Sequence, residues 1–133
     1  MHLIVHTDGG ARGNPGPAGI GVHIADKSGR EVEKRYKYLG VKTNNQAEYL
    51  GAFYGVRRAI ELGADDIELR MDSQLVVEQL SGRYKIKNPE LREIHREIAT
   101  MVGEWGGTIR YVHIPRERNK EADRLSNKAM DEG

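Results

Sequence analysis

The segment HLIVHTDGG at residues 2–10 is the most informative part of the chain for the fold, because a strand-like alternation runs directly into an acid and a glycine pair. Leu3 and Val5 point to one face of a strand, whereas His6 and Asp8 point to the other. The glycine-rich stretch GGARGNPGPAG follows directly and predicts a dense turn region. The chain is therefore predicted to open with a strand that ends on a carboxylate.

Periodicity along the rest of the chain predicts alternating strands and helices. Two further strands, IGVHIAD and EKRYKYLGV, are joined by a turn at residues 26–29, so the chain opens with an antiparallel meander. A helix then begins with Asn44 or Asn45 as its cap and ends at Gly63. The remaining predicted elements are a strand (DDIELRMD), two helices (SQLVVEQLSG and NPELREIHREIATMVGEW), a strand (GTIRYVHI) and a helix (KEADRLSNKAMDE). This order predicts an α/β fold with helices on the faces of a mixed sheet.

The composition narrows the class of protein. The length of 133 residues suits a single domain over residues 1–133 that can bury a core. No cysteine is present, which excludes disulfides and thiolate zinc sites. The N-terminal segment has no basic start, and no stretch approaches the roughly 20 apolar residues of a membrane span, so we expect a soluble, cytoplasmic protein with no membrane contact. The net charge of +1 gives no overall attraction to nucleic acid. Basic residues nevertheless cluster at 27–42 and 83–87. These clusters are explained either by a solvated surface or by a groove that binds phosphates.

Four carboxylates stand near the ends of predicted elements, and each has an ordinary structural explanation. Asp8 could form the turn after its strand, and Asp72 could cap the helix that it precedes. Glu48 lies three residues after Asn45, which is the spacing of a capping box. Asp123 would be favoured in the first turns of a helix by the macrodipole. Taken singly, none of these acids requires a functional role.

Taken together, the same four acids favour a metal site. The carboxyl ends of strands and the amino ends of helices tend to meet at one edge of an α/β sheet. Glu48 also continues the line of Ala52 and Val56, the predicted sheet-facing stripe, where an unpaired carboxylate is costly. Carboxylate oxygens suit Mg²⁺ or Mn²⁺, and an all-carboxylate site fits two-metal cleavage of phosphodiesters, with the ions about 3.5–4 Å apart.

Five short motifs occur along the chain: TDGG at 7–10, GNPGP at 13–17, TNNQAE at 43–48, MDSQ at 71–74 and NKEAD at 119–123. In this order they resemble the type 1 ribonuclease H family over nearly the whole chain. The joint set is specific, whereas DSQ or NxxAD alone would be weak. The resemblance implies a ribonuclease H-like mixed five-stranded sheet with helices on both faces.

The resemblance also implies an endonuclease that cuts the RNA strand of RNA–DNA hybrids. The implied ligands of two Mg²⁺ ions, for which Mn²⁺ can substitute, are Asp8, Glu48, Asp72 and Asp123. One ion would activate a water and the other would stabilise the leaving 3′-oxygen, which leaves 5′-phosphate and 3′-hydroxyl ends. The implied hybrid contacts are Asn14, Thr43, Asn44, Asn45 and Gln74. Small polar side chains of this kind can hydrogen-bond 2′-hydroxyls and base edges in a wide minor groove, while Thr43 with Asn14 is expected near a DNA phosphate.

Two departures from the family pattern concern substrate contacts. Many relatives carry a basic, tryptophan-rich protrusion between two central helices, whereas residues 81–88 are short here and hold no tryptophan. Many relatives also carry a histidine in a flexible loop before the last acid. Here that loop is shorter, and His113 is in line with Ile109 and Tyr111 at the end of a strand. We therefore predict that Arg116 takes the missing catalytic role near the scissile phosphate, because arginine binds phosphate in a fork.

Three alternative functions predict different sequence features. A non-catalytic hybrid-binding module on the same fold would lack at least one acid, and none is missing. Another nuclease of the same fold, integrase-like or exonuclease-like, would carry different motifs around its acids. A dinucleotide-binding domain is excluded because the glycines at 16–21 lead into a strand instead of a helix. We also expect the protein to be a monomer.

Overall fold

Five β-strands and four α-helices make up the computed structural model, which describes residues 1–133. In chain order the elements are β1 (His2–Ala11), β2 (Gly16–Asp26), β3 (Glu31–Lys42), α1 (Asn44–Glu61), β4 (Asp66–Met71), α2 (Gln74–Leu80), α3 (Pro89–Trp105), β5 (Thr108–His113) and α4 (Lys120–Glu132), with a 3-10 turn at Arg116–Arg118. The strands form one sheet in the order β3-β2-β1-β4-β5. Strand β2 is antiparallel to β1 and β3, whereas β4 is parallel to β1 and β5, so the predicted mixed five-stranded sheet is confirmed.

Helices cover both faces of the sheet, as predicted. Ile20 and Val22 of β2 lie beneath glycines of α1, whereas the intervening Gly21 lies beneath α4. Because successive strand residues point to opposite faces, α1 and α4 pack on opposite sides of the sheet. Helix α3 packs against α1, and its buried residues Leu91 and Ile98 belong to the main hydrophobic core.

The first two strands are longer than predicted, and several of the glycines between them belong to the sheet. Strand β1 continues to Ala11 and β2 begins at Gly16, so Asp8 lies inside the ladder opposite Gly21 and not at the end of a strand. The glycine-rich stretch predicted a turn because glycine is common in turns. The connection itself is confined to residues 12–15.

Helix α1 is capped by Thr43, so the prediction of Asn44 or Asn45 as its cap was wrong. Thr43 Oγ1 accepts a hydrogen bond from Gln46 N at 3.1 Å, and Gln46 Oε1 accepts one from Thr43 N at 2.9 Å. These two bonds form a complete capping box at residues 43 and 46. The predicted box of Asn45 and Glu48 is therefore absent, and Glu48 has no capping role.

Helix α3 begins as predicted. Pro89 occupies its first turn, and Asn88 Oδ1 accepts hydrogen bonds from Glu90 N at 2.8 Å and Leu91 N at 3.2 Å. Asn88 is thus an ordinary N-cap, remote in sequence from every candidate acid.

None of the α-helices combines the length and apolar content that crossing a membrane requires.

Candidate metal centre

Asp8 lies where two helices approach the sheet closely, one on each face. A side chain at Gly9 would overlap the carbonyl of Ala47 in α1. A side chain at Gly21, the partner of Asp8 on β2, would overlap the carbonyl of Ala122 in α4. Because glycine has no Cβ atom, the amino ends of both helices reach the sheet beside Asp8. These glycines therefore position the helices that carry two of the other acids.

Three carboxylates converge at this edge of the sheet. One side-chain oxygen of each of Asp8, Glu48 and Asp72 lies within 4.8 Å of the others. Asp8 is only 8% exposed, and the other two are half-buried. Asp72 follows β4 directly, and Ser73 caps α2 by accepting a hydrogen bond from Val76 N. Capping therefore does not explain Asp72, whose carboxylate faces the other acids.

Asp123 lies beside this group but is not one of the three converging carboxylates. It is in the first turn of α4, and its carboxyl group lies close enough to Asp8 to raise the pKa of the Asp8 carboxyl. The acids share an open cleft of about 490 Å³. The lining of the cleft includes Asp8, Glu48, Asp72, Asp123, Arg12, Asn44, Arg116 and Asn127. All four predicted acids therefore face one cavity.

Burial and mutual repulsion oppose ionisation of these acids. Burial, the charge of Asp72 and the neighbouring carboxyl group of Asp123 raise the pKa of Asp8 to about 7. Burial also raises the pKa of Glu48 well above its usual value, and the charges of Asp8 and Asp72 add to the effect. Glu48 Oε2 is buried without any hydrogen-bond partner. The site therefore brings together acids that the protein alone does not stabilise in their charged form.

This arrangement fits a divalent cation. A buried carboxylate oxygen without a partner is costly unless a positive charge comes to it. A cation between the carboxylates would supply that charge and relieve their repulsion. The donor atoms are all oxygens, which suits Mg²⁺ or Mn²⁺ and does not suit zinc, whose usual ligands include histidine or cysteine.

The raised pKa of Asp8 predicts that the metal-free protein loses stability as the pH rises. In the unfolded chain Asp8 ionises near 3.8, whereas the folded protein keeps its proton up to about pH 7. The contribution of this proton to stability is fully present below the unfolded pKa and is lost as the pH rises through the folded pKa. Asp8→Asn cannot ionise, so its stability relative to wild type should increase by a few kcal/mol between these two values, as each pKa unit corresponds to about 1.36 kcal/mol. Urea unfolding in chelator measures this difference, and a difference independent of pH would contradict the shift.

Most of the polar residues predicted to contact a hybrid lie around the amino ends of α1 and α2. Asn14 Oδ1 accepts a hydrogen bond from Asn44 N at 3.0 Å, and Asn44 Oδ1 accepts one from Ala11 N at 2.9 Å. These bonds tie the connection between β1 and β2 to the start of α1. Asn45 and Gln74 expose their side chains in the first turns of α1 and α2. Contact of these residues with a hybrid stays a prediction.

Arg116 lies at the cleft, whereas His113 does not line it. Arg116 is an exposed residue in the 3-10 turn before α4. His113 is the last residue of β5, as predicted, and its side chain is exposed. The placement favours Arg116 over His113 as a phosphate contact, and its catalytic role stays a prediction.

Two residues to which the sequence analysis assigned no role lie at the site. Arg12 lines the cleft and forms an ion pair with Asp131 at 2.6 Å. Asn119 is buried and donates a hydrogen bond to Asp72 at 3.1 Å. The motif NKEAD already contained Asn119, but its spacing does not indicate which group the side chain contacts. Arg12 lies in the connection between β1 and β2, where a single arginine gives no sequence signal of a role at the site.

Comparison with known proteins places the fold and the cleft in a family. Residues 6–129 match the family described as Reverse transcriptase-like. The crystal structure of ribonuclease H1 from the archaeon Halobacterium salinarum has a TM-score of 0.96 and 37% identity, and the match covers 100% of both chains. The crystal structure of LC11 ribonuclease H1 in complex with an RNA/DNA hybrid has a TM-score of 0.94 and 44% identity, covering 98% of this chain and 97% of that one.

A longer relative shows the same similarity over part of its length. A bifunctional protein of Mycobacterium tuberculosis is 45% identical over 133 residues, which cover 98% of this chain and 36% of that protein. This chain therefore spans about a third of the length of that relative. The five-stranded fold and the acidic cleft together define the class of ribonuclease H-like proteins. Within that class, the chain belongs to the type 1 ribonuclease H family.

Proposed function

We propose that this chain is an endonuclease that hydrolyses the RNA strand of RNA–DNA hybrids and leaves 5′-phosphate and 3′-hydroxyl ends. The observation that carries the proposal is the convergence of Asp8, Glu48 and Asp72 in one cleft, with Asp123 beside them. The relative whose crystal structure contains an RNA/DNA hybrid supports the choice of substrate. A binding module without catalysis is disfavoured, because uncompensated carboxylates at its centre would repel the phosphates that it binds.

The proposed ligands of two Mg²⁺ ions are Asp8, Glu48, Asp72 and Asp123, and Mn²⁺ can use the same oxygen donors. When bound, the ions supply an activated water and stabilise charge on the leaving 3′-oxygen. The chain contributes a prearranged site. Asp8 is held within a paired strand, and Glu48 lies near the capped end of α1, so neither element has to reorganise during the reaction.

Substrate selection is proposed to depend on small polar side chains beside the acids. Amide groups can donate to and accept from a 2′-hydroxyl, which is the group that distinguishes RNA from DNA. Asn45 and Gln74 have exposed side chains in the first turns of α1 and α2, and Asn44 lines the cleft. Thr43 and Asn14 are proposed to contact a DNA phosphate. One chain supplies every proposed ligand and contact, so we propose that the enzyme acts as a monomer. We also propose that it acts in the cytoplasm.

A cleavage assay with labelled nucleic acids tests the proposed function. Hybrid, double-stranded RNA, DNA duplex and single strands are each incubated with Mg²⁺, Mn²⁺ or chelator. We expect cleavage of the RNA strand of the hybrid only when metal is present, and the new ends should be substrates for an exonuclease that requires a 5′-phosphate. Comparable cleavage of DNA duplex would contradict the substrate, and hybrid cleavage in chelator would contradict the metal dependence.

Replacing Arg116 with alanine is expected to slow turnover by roughly 10–1,000-fold, the range seen when one stabilising donor is lost. The melting temperature should barely change, because the side chain is exposed in a short turn. Arg116→Lys should recover part of the rate, since it restores the charge without the fork. Rates at saturating hybrid are compared with those of His113→Ala, the matched control. If His113→Ala loses turnover and Arg116→Ala does not, the catalytic role belongs to His113 and not to Arg116.

A further inference from the structure

The side chain of Asn119 is buried at the start of the helix that carries Asp123. It occupies the N-cap position of α4 and is 1% exposed. An asparagine at this position ordinarily accepts a hydrogen bond from a backbone N–H two or three residues further along. Asn119 makes no such bond. Its amide is therefore directed at groups outside its own helix.

The amide of Asn119 donates to two acceptors at the candidate metal centre. Its Nδ2 atom lies 3.0 Å from the carbonyl oxygen of Thr7 and 3.1 Å from Oδ2 of Asp72. Only an NH₂ group can face two acceptors in this way, so the contacts determine the orientation of the amide. The backbone carbonyl of Asn119 also accepts a hydrogen bond from Asp123 N at 3.1 Å. One residue thus connects the strand that carries Asp8, the carboxylate of Asp72 and the helix that carries Asp123.

The oxygen atom of the same amide indicates which contacts account for an asparagine at this position. Asn119 Oδ1 is buried and has no hydrogen-bond partner. An unsatisfied buried acceptor is destabilising, and an apolar side chain of similar size would remove that cost. Packing by itself therefore does not favour an amide at this position. The two donated hydrogen bonds are the contacts that an apolar replacement cannot make.

We propose that Asn119 is a positioning residue, which holds the Asp72 carboxylate in the orientation that binds metal and sets its spacing from Asp8. The proposal rests on the metal site of the proposed function. Thr7 is adjacent to Asp8, so the same amide connects both ligands across neighbouring strands. Groups that hydrogen-bond to metal ligands commonly fix ligand geometry in this manner.

Two substitutions test the proposal. Asn119→Asp keeps the size of the side chain but presents oxygen to both acceptors, and Asn119→Ala removes the amide. We expect each to weaken metal binding and hybrid turnover by about 10–100-fold, which is typical when a partner of a metal ligand is lost. Metal binding is measured without substrate, as the Mn²⁺ or Mg²⁺ concentration that gives half of the metal-induced rise in melting temperature. KM for the hybrid should stay near the wild-type value, because Asn119 is buried and does not line the cleft.

Asn88→Ala is the matched control, since it removes an asparagine N-cap at α3. It should lower the melting temperature without moving the metal midpoint or kcat. If the Asn119 variants behave like this control, the residue is only structural and the proposal is wrong. A wild-type protein that binds metal but does not cleave hybrid would contradict the proposed function and leave the role of Asn119 standing.

A measurement on the wild-type protein covers the case in which the Asn119 variants do not fold. The side-chain amide resonances of Asn119 should shift in an NMR titration with Mg²⁺, because the carboxylate that accepts one of its protons becomes a metal ligand. The side-chain amide of Asn88 should not shift. Unchanged Asn119 resonances at a saturated metal site would overturn the proposal.

Discussion

Asp8→Asn and Asp72→Asn are each expected to reduce hybrid cleavage at least about a thousandfold. Each removes one negative ligand from a site whose metals are proposed to stabilise several kcal/mol of transition-state charge, and each 1.36 kcal/mol is about tenfold in rate. The fold should persist, because asparagine has nearly the same volume and its carbonyl oxygen can still accept the bond that Gly9 N donates to Asp8 Oδ1 at 3.0 Å. In chelator the variants should melt at or above the wild-type temperature, since a repelling charge is removed.

Single-turnover cleavage and melting curves of the same preparations measure both effects. Asp65→Asn provides a matched control, because it makes the same chemical change at the opposite end of β4. Asp65 is exposed and pairs only with the N-terminal amine at 2.7 Å. Its variant should cleave hybrid at the wild-type rate. Turnover within tenfold of wild type in either Asp8→Asn or Asp72→Asn would mean that the metal site is elsewhere.

Glu48→Gln is expected to lower turnover at least about a hundredfold with little change in stability, because a neutral amide replaces a charged ligand. The sequence offered a competing explanation for Glu48, namely a capping box, and a glutamine would preserve that function. In the structure the box belongs to Thr43 and Gln46, and Glu48 Oε2 is buried without a partner. The capping explanation therefore predicts no effect on either property, and the metal explanation predicts the loss of activity alone.

Gln46→Ala is the matched variant for this experiment, because it removes half of the capping box at a side chain that does not line the cleft. It should lower the free energy of unfolding by about 0.5–2 kcal/mol, the usual range for a lost cap, and leave turnover at saturating hybrid near the wild-type rate. Opposite behaviour of the two variants would separate stability from catalysis at the start of α1. Near-normal activity of Glu48→Gln would show that Glu48 is a structural residue.

The predictions that failed concern places where one residue type serves two purposes. Glycine allows a tight turn and also allows a helix to approach a strand closely, and both uses look the same in a sequence. The stretch after Asp8 was therefore interpreted as a turn, although Gly9 lies in β1 under α1. Likewise Thr43, Asn44 and Asn45 are all suitable N-caps. Backbone conformation selects Thr43, which is extended while the next residue is already helical.

Periodicity, caps and short motifs are local properties, so they were sufficient to predict the order of the elements, the mixed sheet and four candidate acids. Distances between remote residues are not local. Asp8, Glu48 and Asp72 form a group within 4.8 Å only because α1 packs directly on Gly9 and β4 pairs with β1. The bond from Asn119 to Thr7 spans 112 residues, and no spacing pattern encodes it. Burial, unpaired oxygens and raised pKa values depend on which groups surround an atom, and those surroundings exist only once the helices have packed on the sheet.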